Sequence, residues 1–311
     1  MDGLLQFLSD FLTNITWIGA IELGLIYALV ALGVLISYKI LNFPDLTADG
    51  SFPLGGGVCV ICILNNVDPW LASLYGMLAG AVAGIITASL HIKFKIEKLL
   101  ASILMMIALY SINLRIMGKP NMALLGDPTI YDNIAVTNDL QLALVRLLMA
   151  ALVVIITKLL FDLFFATQLG LAVRATGTNS RMAKSQGINV NKMMLIGMAI
   201  SNGLIALAGA LYVQSNGGFD ISIGVGTIVI GLAAVIIGEA VFSSKRIIWL
   251  SLAVIIGSIL YRFFIALALN NESLNSIGFG PQDLNLITAL LVVIVLVIPQ
   301  LKQKFFSKRM R

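Results

Sequence analysis

The sequence has 311 residues, of which 59% are hydrophobic and only 11% charged, with a formal net charge of +5. A chain this apolar is not an ordinary soluble domain, and basic residues spread among loops on one side are no nucleic-acid signal. Apolar runs of about twenty residues recur, each long enough to cross a ~30 Å hydrocarbon core.

The expected architecture is therefore all-α: a polytopic transmembrane helix bundle forming a single domain over residues 1–311 of a multi-pass membrane protein. Nine spans are expected, at Trp17–Tyr38, Phe52–Leu64, Trp70–Leu90, Leu99–Met117, Leu140–Phe165, Lys192–Val213, Val225–Phe242, Ile247–Leu269 and Leu284–Gln300. The N-terminal segment lacks the basic stretch of a secretory signal peptide. Charge orients the spans. Lys39, then Lys93, Lys95 and Lys98, then Arg174, Arg181, Lys184 and Lys192, then Lys245 and Arg246, and last Lys302 to Arg311 fall on one side. Asp2, Asp10, Asp68, Asp127, Asp132, Asp139, Asp220, Glu272 and Asp283 fall on the other. The positive-inside rule then puts the N-terminus outside and the C-terminus inside.

The first span carries Glu22 near its outer end. It reads equally as a solvated interfacial residue, a paired structural charge or part of a pathway. Asn42 to Val58 breaks the apolar profile with two prolines, two aspartates and a glycine triplet. Ser51 can cap a helix that starts at Phe52 and Pro53. Broken backbone at membrane depth is tolerated where it lines a cavity or is buried in protein. On that basis Asn42, Asp45, Thr47, Asp49 and Ser51 are candidates for a translocation pathway, the alternative being a loop outside the hydrocarbon.

Cys59 and Cys62 lie in an apolar run with no second pair and no nearby histidine, so they read as packing residues rather than a metal or redox site. In the third span, Gly76, Gly80 and Gly84 form a small-residue stripe that lets helices pack closely. The segment from Gly118 to Asp139 is the longest on the outer side. In the fifth span Lys158 and Asp162 are spaced to pair. A second glycine-rich break runs from Ser215 to Thr227, and its Phe219–Ser222 faintly echoes the F-P-D-L-T of the first. In the eighth span Arg262 can snorkel outward or pair with an acid such as Glu22.

The polar segment 174–192 sits between two apolar runs. Thr178, Asn179 or Ser180 can start a short helix there, and Gly187 can end it in a left-handed conformation. About two turns are not stable alone in water, so the segment needs support from its own domain, a partner, or both. A solvated basic loop is the plainer alternative.

The run R-A-x-G-x-N-x-x-x-A-x-x-x-G-I, formed by Arg174, Ala175, Gly177, Asn179, Ala183, Gly187 and Ile188, resembles the cytoplasmic coupling loop of the branched-chain amino-acid and ribose permeases of ATP-binding-cassette (ABC) importers. The following Leu195–Tyr212 resembles that family's next helix. The D-G-S-F-P-L-G of the first break resembles a subgroup associated with aromatic or other hydrophobic amino acids. The resemblance implies the permease subunit of a bacterial importer in the cytoplasmic (inner) membrane, moving an amino acid or similar small solute. It implies that a separate ATPase subunit docks on the 174–192 loop, Arg181 included, as a short coupling helix. An external binding protein would deliver solute, and a second permease subunit, as a homodimer, would complete the pathway. No phosphate-cradling G-x-x-x-x-G-K-[ST] motif occurs in the sequence, so ATP would bind the partner chain, with no cofactor on this one and no catalytic role for it. The rival reading is an ion-coupled secondary transporter that moves protons through Glu22, Asp45 or Asp49.

Overall fold

The computed structural model describes residues 15–269 apart from 125, 132–137, 243 and 245, together with positions 286, 289, 290 and 293. Helix α1 is Ile15–Val34, and it widens into a π turn at Leu35–Ile40. It stops at Asn42, whose φ of +50° lies in the left-handed region. The long helices that follow are α2 (Ala48–Leu64), α3 (Pro69–Phe94), α4 (Lys98–Met117) and α5 (Asp139–Ala166). Two short helices come next, α6 (Gln168–Thr178) and α7 (Ser180–Ser185). The described chain then forms α8 (Val190–Asn216), α9 (Thr227–Val241) and α10 (Ile247–Leu269).

Seven helical stretches are long and apolar enough to cross a membrane, and α2 is a shorter apolar helix. The bundle is thus polytopic and helical, and eight of the expected spans have a helix at their place. The ninth, Leu284–Gln300, lies outside the described residues but for four positions. One end of the bundle holds the basic ends of α3 and α4, where Lys98 donates to the Asn42 carbonyl at 2.9 Å. The other end holds a two-stranded antiparallel ribbon, β1 (Asn121–Ala123) with β2 (Gly218–Asp220), in which Met122 faces Phe219.

The core is a seam where α2, α3 and α8 approach one another closely at glycines. A Cβ on Gly80 would lie 2.2 Å from the Ala206 Cβ, and one on Gly84 would lie 2.2 Å from the Met198 carbonyl oxygen. Across α2 and α8, a Cβ on Gly55 would meet the Ala206 carbonyl oxygen at 1.9 Å, and one on Gly209 would meet that of Phe52 at 2.0 Å. In a bilayer, where lipid tails are as apolar as the core, such contact and polar pairing hold helices together. The stripe read in the third span is this seam.

Two helices begin inside the bundle. The chain leaves the basic end at Asn42, climbs along α4, and starts α2 at Ala48. Asn113 of α4 donates to the Gly50 carbonyl at 3.1 Å, and Met117 lies against Gly57. Helix α2 therefore runs toward the ribbon end. The second break leaves the ribbon, passes through a 3-10 turn at Ile221–Gly224 and starts α9 beside Asp49. Helix α9 runs the other way, to the basic end, where Glu239 accepts from Lys39. Each break opens on the same local device. The Asp45 carboxylate accepts from the Thr47 amide at 3.0 Å, and that of Asp220 from the Ser222 amide at 2.7 Å.

One expected boundary is corrected. Helix α2 starts at Ala48, not at Phe52, and Ser51 is in its first turn rather than at its cap. The Asp45 turn folds the chain early, so the amides of Asp49, Gly50 and Ser51 close on the Leu46 and Thr47 carbonyls. Pro53, inside the helix, offers no N–H to the Asp49 carbonyl. Gly224 passes there instead, where a Cβ would lie 2.3 Å from that oxygen.

Candidate functional site

Where the first break meets α3 and α8, polar side chains gather in an otherwise apolar interior. Asp45, Thr47 and Ser51 are buried, with Ser51 and Thr47 fully so. Asn202 of α8 joins them. Its amide donates to Asp45 Oδ2 at 2.7 Å, and its carbonyl accepts from the Ser51 hydroxyl at 2.7 Å. The Thr47 hydroxyl lies 3.0 Å from that of Thr87 on α3, which also bonds back to the Ala83 carbonyl at 3.0 Å. A buried polar group costs free energy unless it is paired, and here Asp45 and Ser51 are paired through one asparagine.

Asp49 stands apart from this cluster. Its two carboxylate oxygens accept from the amides of Gly226 at 3.1 Å and Ile228 at 2.8 Å. It lies in the first turn of α2 and caps α9 across the break, so one carboxylate faces two helix N-termini, the end that favours negative charge. Asn42 is exposed at the basic end. The five pathway candidates thus separate into a buried trio, a helix cap and a surface turn. Both carboxylates of the break are engaged in hydrogen bonds, as is Glu22, which accepts from Ser215.

The segment 174–192 forms two short helices rather than one. Arg174, Ala175 and Gly177 belong to the end of α6, where Gly177 lies so close to α1 that a Cβ would sit 1.7 Å from the Ile40 carbonyl oxygen. Asn179 caps α7, its side chain accepting from the Met182 amide at 3.0 Å. Gly187 takes φ +81° past the helix end. The Ile188 amide bonds the Ala183 carbonyl and the Gly187 amide bonds that of Lys184, each at 3.1 Å. This closed C-terminal turn satisfies carbonyls that a two-turn helix would leave open. Ala183 is buried against the bundle, 3% exposed, while Arg181, Met182 and Lys184 are exposed, Met182 at 63%. A cavity of about 590 Å³ beside this hairpin is lined by Asn42, Lys95, Lys98, Asn179, Arg181 and Asn191, so the hairpin and the first break share one wall.

Other readings find their place. Lys158 pairs with Asp162, which also accepts from Ser251 at 2.7 Å. Cys59 is buried beside Gln214, and both cysteines are unbridged. Sequence reasoning passed over Asn202 and Thr87. The available signal was a lone asparagine in the middle of an apolar helix, which must find a partner once buried.

The description "branched-chain amino acid transport system / permease component" matches residues 18–298 of the chain. The tyrosine transport system permease protein of Clostridioides difficile (strain R20291) is 42% identical over 270 residues, 87% of this chain and 86% of the relative. The probable branched-chain amino acid transport permease protein LivH of Methanocaldococcus jannaschii is 28% identical over 203 residues, 62% of this chain and 64% of the relative. The ribose import permease protein RbsC of Escherichia coli (strain K12) is 22% identical over 263 residues, 83% and 78% of the two chains. No solved structure matches the chain.

Proposed function

This chain belongs to the family of permease components of branched-chain amino acid transport systems, and we propose that two copies of it form the pathway by which an importer takes up a hydrophobic or aromatic amino acid. The family makes it the membrane-spanning permease subunit of an ABC importer, a multi-pass transport protein and not an enzyme. It implies an ATPase and a solute-binding protein as partners, and this overtakes the ion-coupled reading.

In this proposal the basic end faces the cytoplasm of a bacterium, the ribbon end faces outward, and the N-terminus lies outside. The ATPase docks on α7 and holds ATP, so no cofactor sits on this chain. The observation that carries the coupling role is the construction of the hairpin. It is rigidly capped at both ends, it shows a projecting face of Arg181, Met182 and Lys184, and its base is locked by Gly177 to the π turn of α1. A push on α7 would thus reach Asn42 and then the Asp45–Asn202–Ser51 cluster on the pathway side of α2. ATP binding closes the paired ATPases and shifts the bundle from inward- to outward-facing, which requires only that the ATPase favour one state over the other.

The test is reconstitution of this permease with its cognate ATPase and binding protein in vesicles. ATP-dependent uptake of a hydrophobic or aromatic amino acid is expected. Uptake driven by a proton gradient with ATP absent would overturn the reading.

A further inference from the structure

A cavity of about 440 Å³ opens at the ribbon end between α1, α5, α8 and α10 and is lined by none of the residues of the first break. Its size is that of small-molecule sites. It is the place in the described bundle where one acid and two guanidinium groups face a common space: Glu22 from α1, Arg146 from α5 and Arg262 from α10. Glu22 is 5% exposed and accepts from Ser215, which lines the same wall. The guanidinium of Arg262 lies 4.0 Å from the centroid of the Tyr27 ring, which holds it by its cation–π face. That of Arg146 lies 5.8 Å from the Tyr131 ring. The Nε atoms of both arginines are buried and make no hydrogen bond among the described residues. Apolar wall is supplied by Ile15, Leu23 and Ile265.

We propose that this cavity is the outer site where the permease receives its solute, and that it selects an α-amino acid zwitterion through Glu22 for the ammonium and Arg262 with Arg146 for the carboxylate. The proposal rests on the importer reading above. The chemistry argues for the class. Two half-buried guanidinium groups whose buried Nε atoms lack an acceptor call for one at the cavity, and a carboxylate matches the geometry of their donors. A phosphate or dicarboxylate would meet Glu22 as a like charge. A sugar or nucleoside brings no charge to match the acid and the two guanidinium groups. A zwitterion satisfies both signs at once, and the apolar wall takes its side chain. A site built to pair polar groups rejects analogues that lack them, because its own groups are then left unpaired.

The test uses the full complex of permease, ATPase and binding protein in vesicles, with a mixture of radiolabelled L-amino acids as the probe. Three permease variants are compared with the parent: Glu22→Gln, Arg262→Gln and Gly19→Phe. Gly19 lines the cavity and a Cβ there would meet nothing within 4 Å, so the phenylalanine can fill the space without disturbing the backbone. Glu22→Gln and Arg262→Gln are each expected to lower amino-acid uptake about tenfold or more, the scale of one lost hydrogen bond to a charged group, and Gly19→Phe to lower it by filling the space, all with ATPase co-purification retained. The corresponding amines and deaminated acids are expected not to compete. A Gly19→Cys permease, labelled from outside by an impermeant thiol reagent, is expected to react more slowly when the transported amino acid is present. This last readout holds even if a charge variant fails to fold. Unchanged uptake in all three variants would overturn this site and leave the importer reading standing, whereas a parent complex that moves only ribose or a nucleoside would overturn both this site and the amino-acid substrate of the importer reading. Failure of the parent to bind any ATPase or move any of these solutes would overturn the importer reading itself, and this site with it.

Discussion

Asn202 does for the first break what no residue within the break can do for itself: it pairs with Asp45 and Ser51 from a different helix. Replacing it by leucine keeps the helix and strands both partners, each at about 1–3 kcal/mol. Asn202→Leu is therefore expected to lower the unfolding temperature in detergent and to cut uptake by more than about tenfold; a variant with parental melting and transport would remove the cluster from the mechanism. Asp49 makes a different prediction. Asp49→Asn keeps one acceptor for the α9 amides but turns an NH₂ toward the other and removes the charge shared by two helix ends. A loss of about 1–2 kcal/mol in stability is expected, with Asp49→Glu recovering part of it; equal melting of all three would show that α9 does not depend on this cap. Asp45, Thr47, Asp49 and Ser51 were legible because prolines and glycines interrupt an apolar run around them. Their roles were not, because the partners Asn202, Thr87 and Gly226 are remote in sequence and only the fold brings them near.

At the scale of the element, the α6–α7 hairpin divides its residues between seat and face. Gly177 and Ala183 seat it on the bundle, while Met182 and Arg181 are on the face. Met182→Asp is accordingly expected to abolish co-purification of the ATPase while the permease still folds and inserts. Arg181→Ala removes one exposed charge and should matter little, since such contacts carry about 0–1 kcal/mol. Gly187→Val puts a β-branched residue at φ +81° and should release the closed turn at a cost of at least ~1 kcal/mol, leaving ATP hydrolysis that no longer drives uptake. Ala183→Trp would act through the seat, lifting α7 off the bundle, rather than by blocking a partner directly. If Met182→Asp and Gly187→Val both retain ATPase binding and coupled uptake, α7 is not the coupling element. The short helix, its Asn179 cap and its Gly187 stop were all legible, because capping is local chemistry. The burial of Ala183 was not, since a periodic face cannot be read from six residues without knowing what lies beneath.

For the molecule as a whole, the number and length of the long helices follow from hydropathy, and their alternation of charge sets the proposed orientation. Cysteines placed at Asp127 and Ser185 test it. The first is expected to react with an impermeant reagent applied to intact cells and the second only after the membrane is opened; the reverse pattern would invert the bundle. What hydropathy could not convey is that two helices start inside the fold and run in opposite senses from Asp49. A short helix that begins in the interior has the same composition as one that crosses, and only packing tells them apart. The echo between F-P-D-L-T and F-D-I-S was the faint trace of this, and it corresponds to the paired aspartate turns that open α2 and, through the 3-10 turn, α9.

The glycine seam has a consequence for how such a chain can change over generations. Silent changes aside, any residue that a single base change can put in place of glycine carries a Cβ. At Gly55, Gly80, Gly84 and Gly209 that carbon would fall 1.9–2.2 Å from an atom of the facing helix, in most cases a backbone carbonyl that cannot step aside. No one-step change of these codons that replaces the glycine encodes a bundle with the same helix spacing. A partner substitution cannot relieve it either: at Gly55, Gly84 and Gly209 the obstacle is main chain, and at Gly80 trimming the Ala206 Cβ would still leave the Asn202 carbonyl oxygen at 2.5 Å. The lipid-facing helices can drift freely in sequence while these positions stay where they are, so diversification of solute preference is channelled away from the seam and toward the breaks and the walls of the cavities.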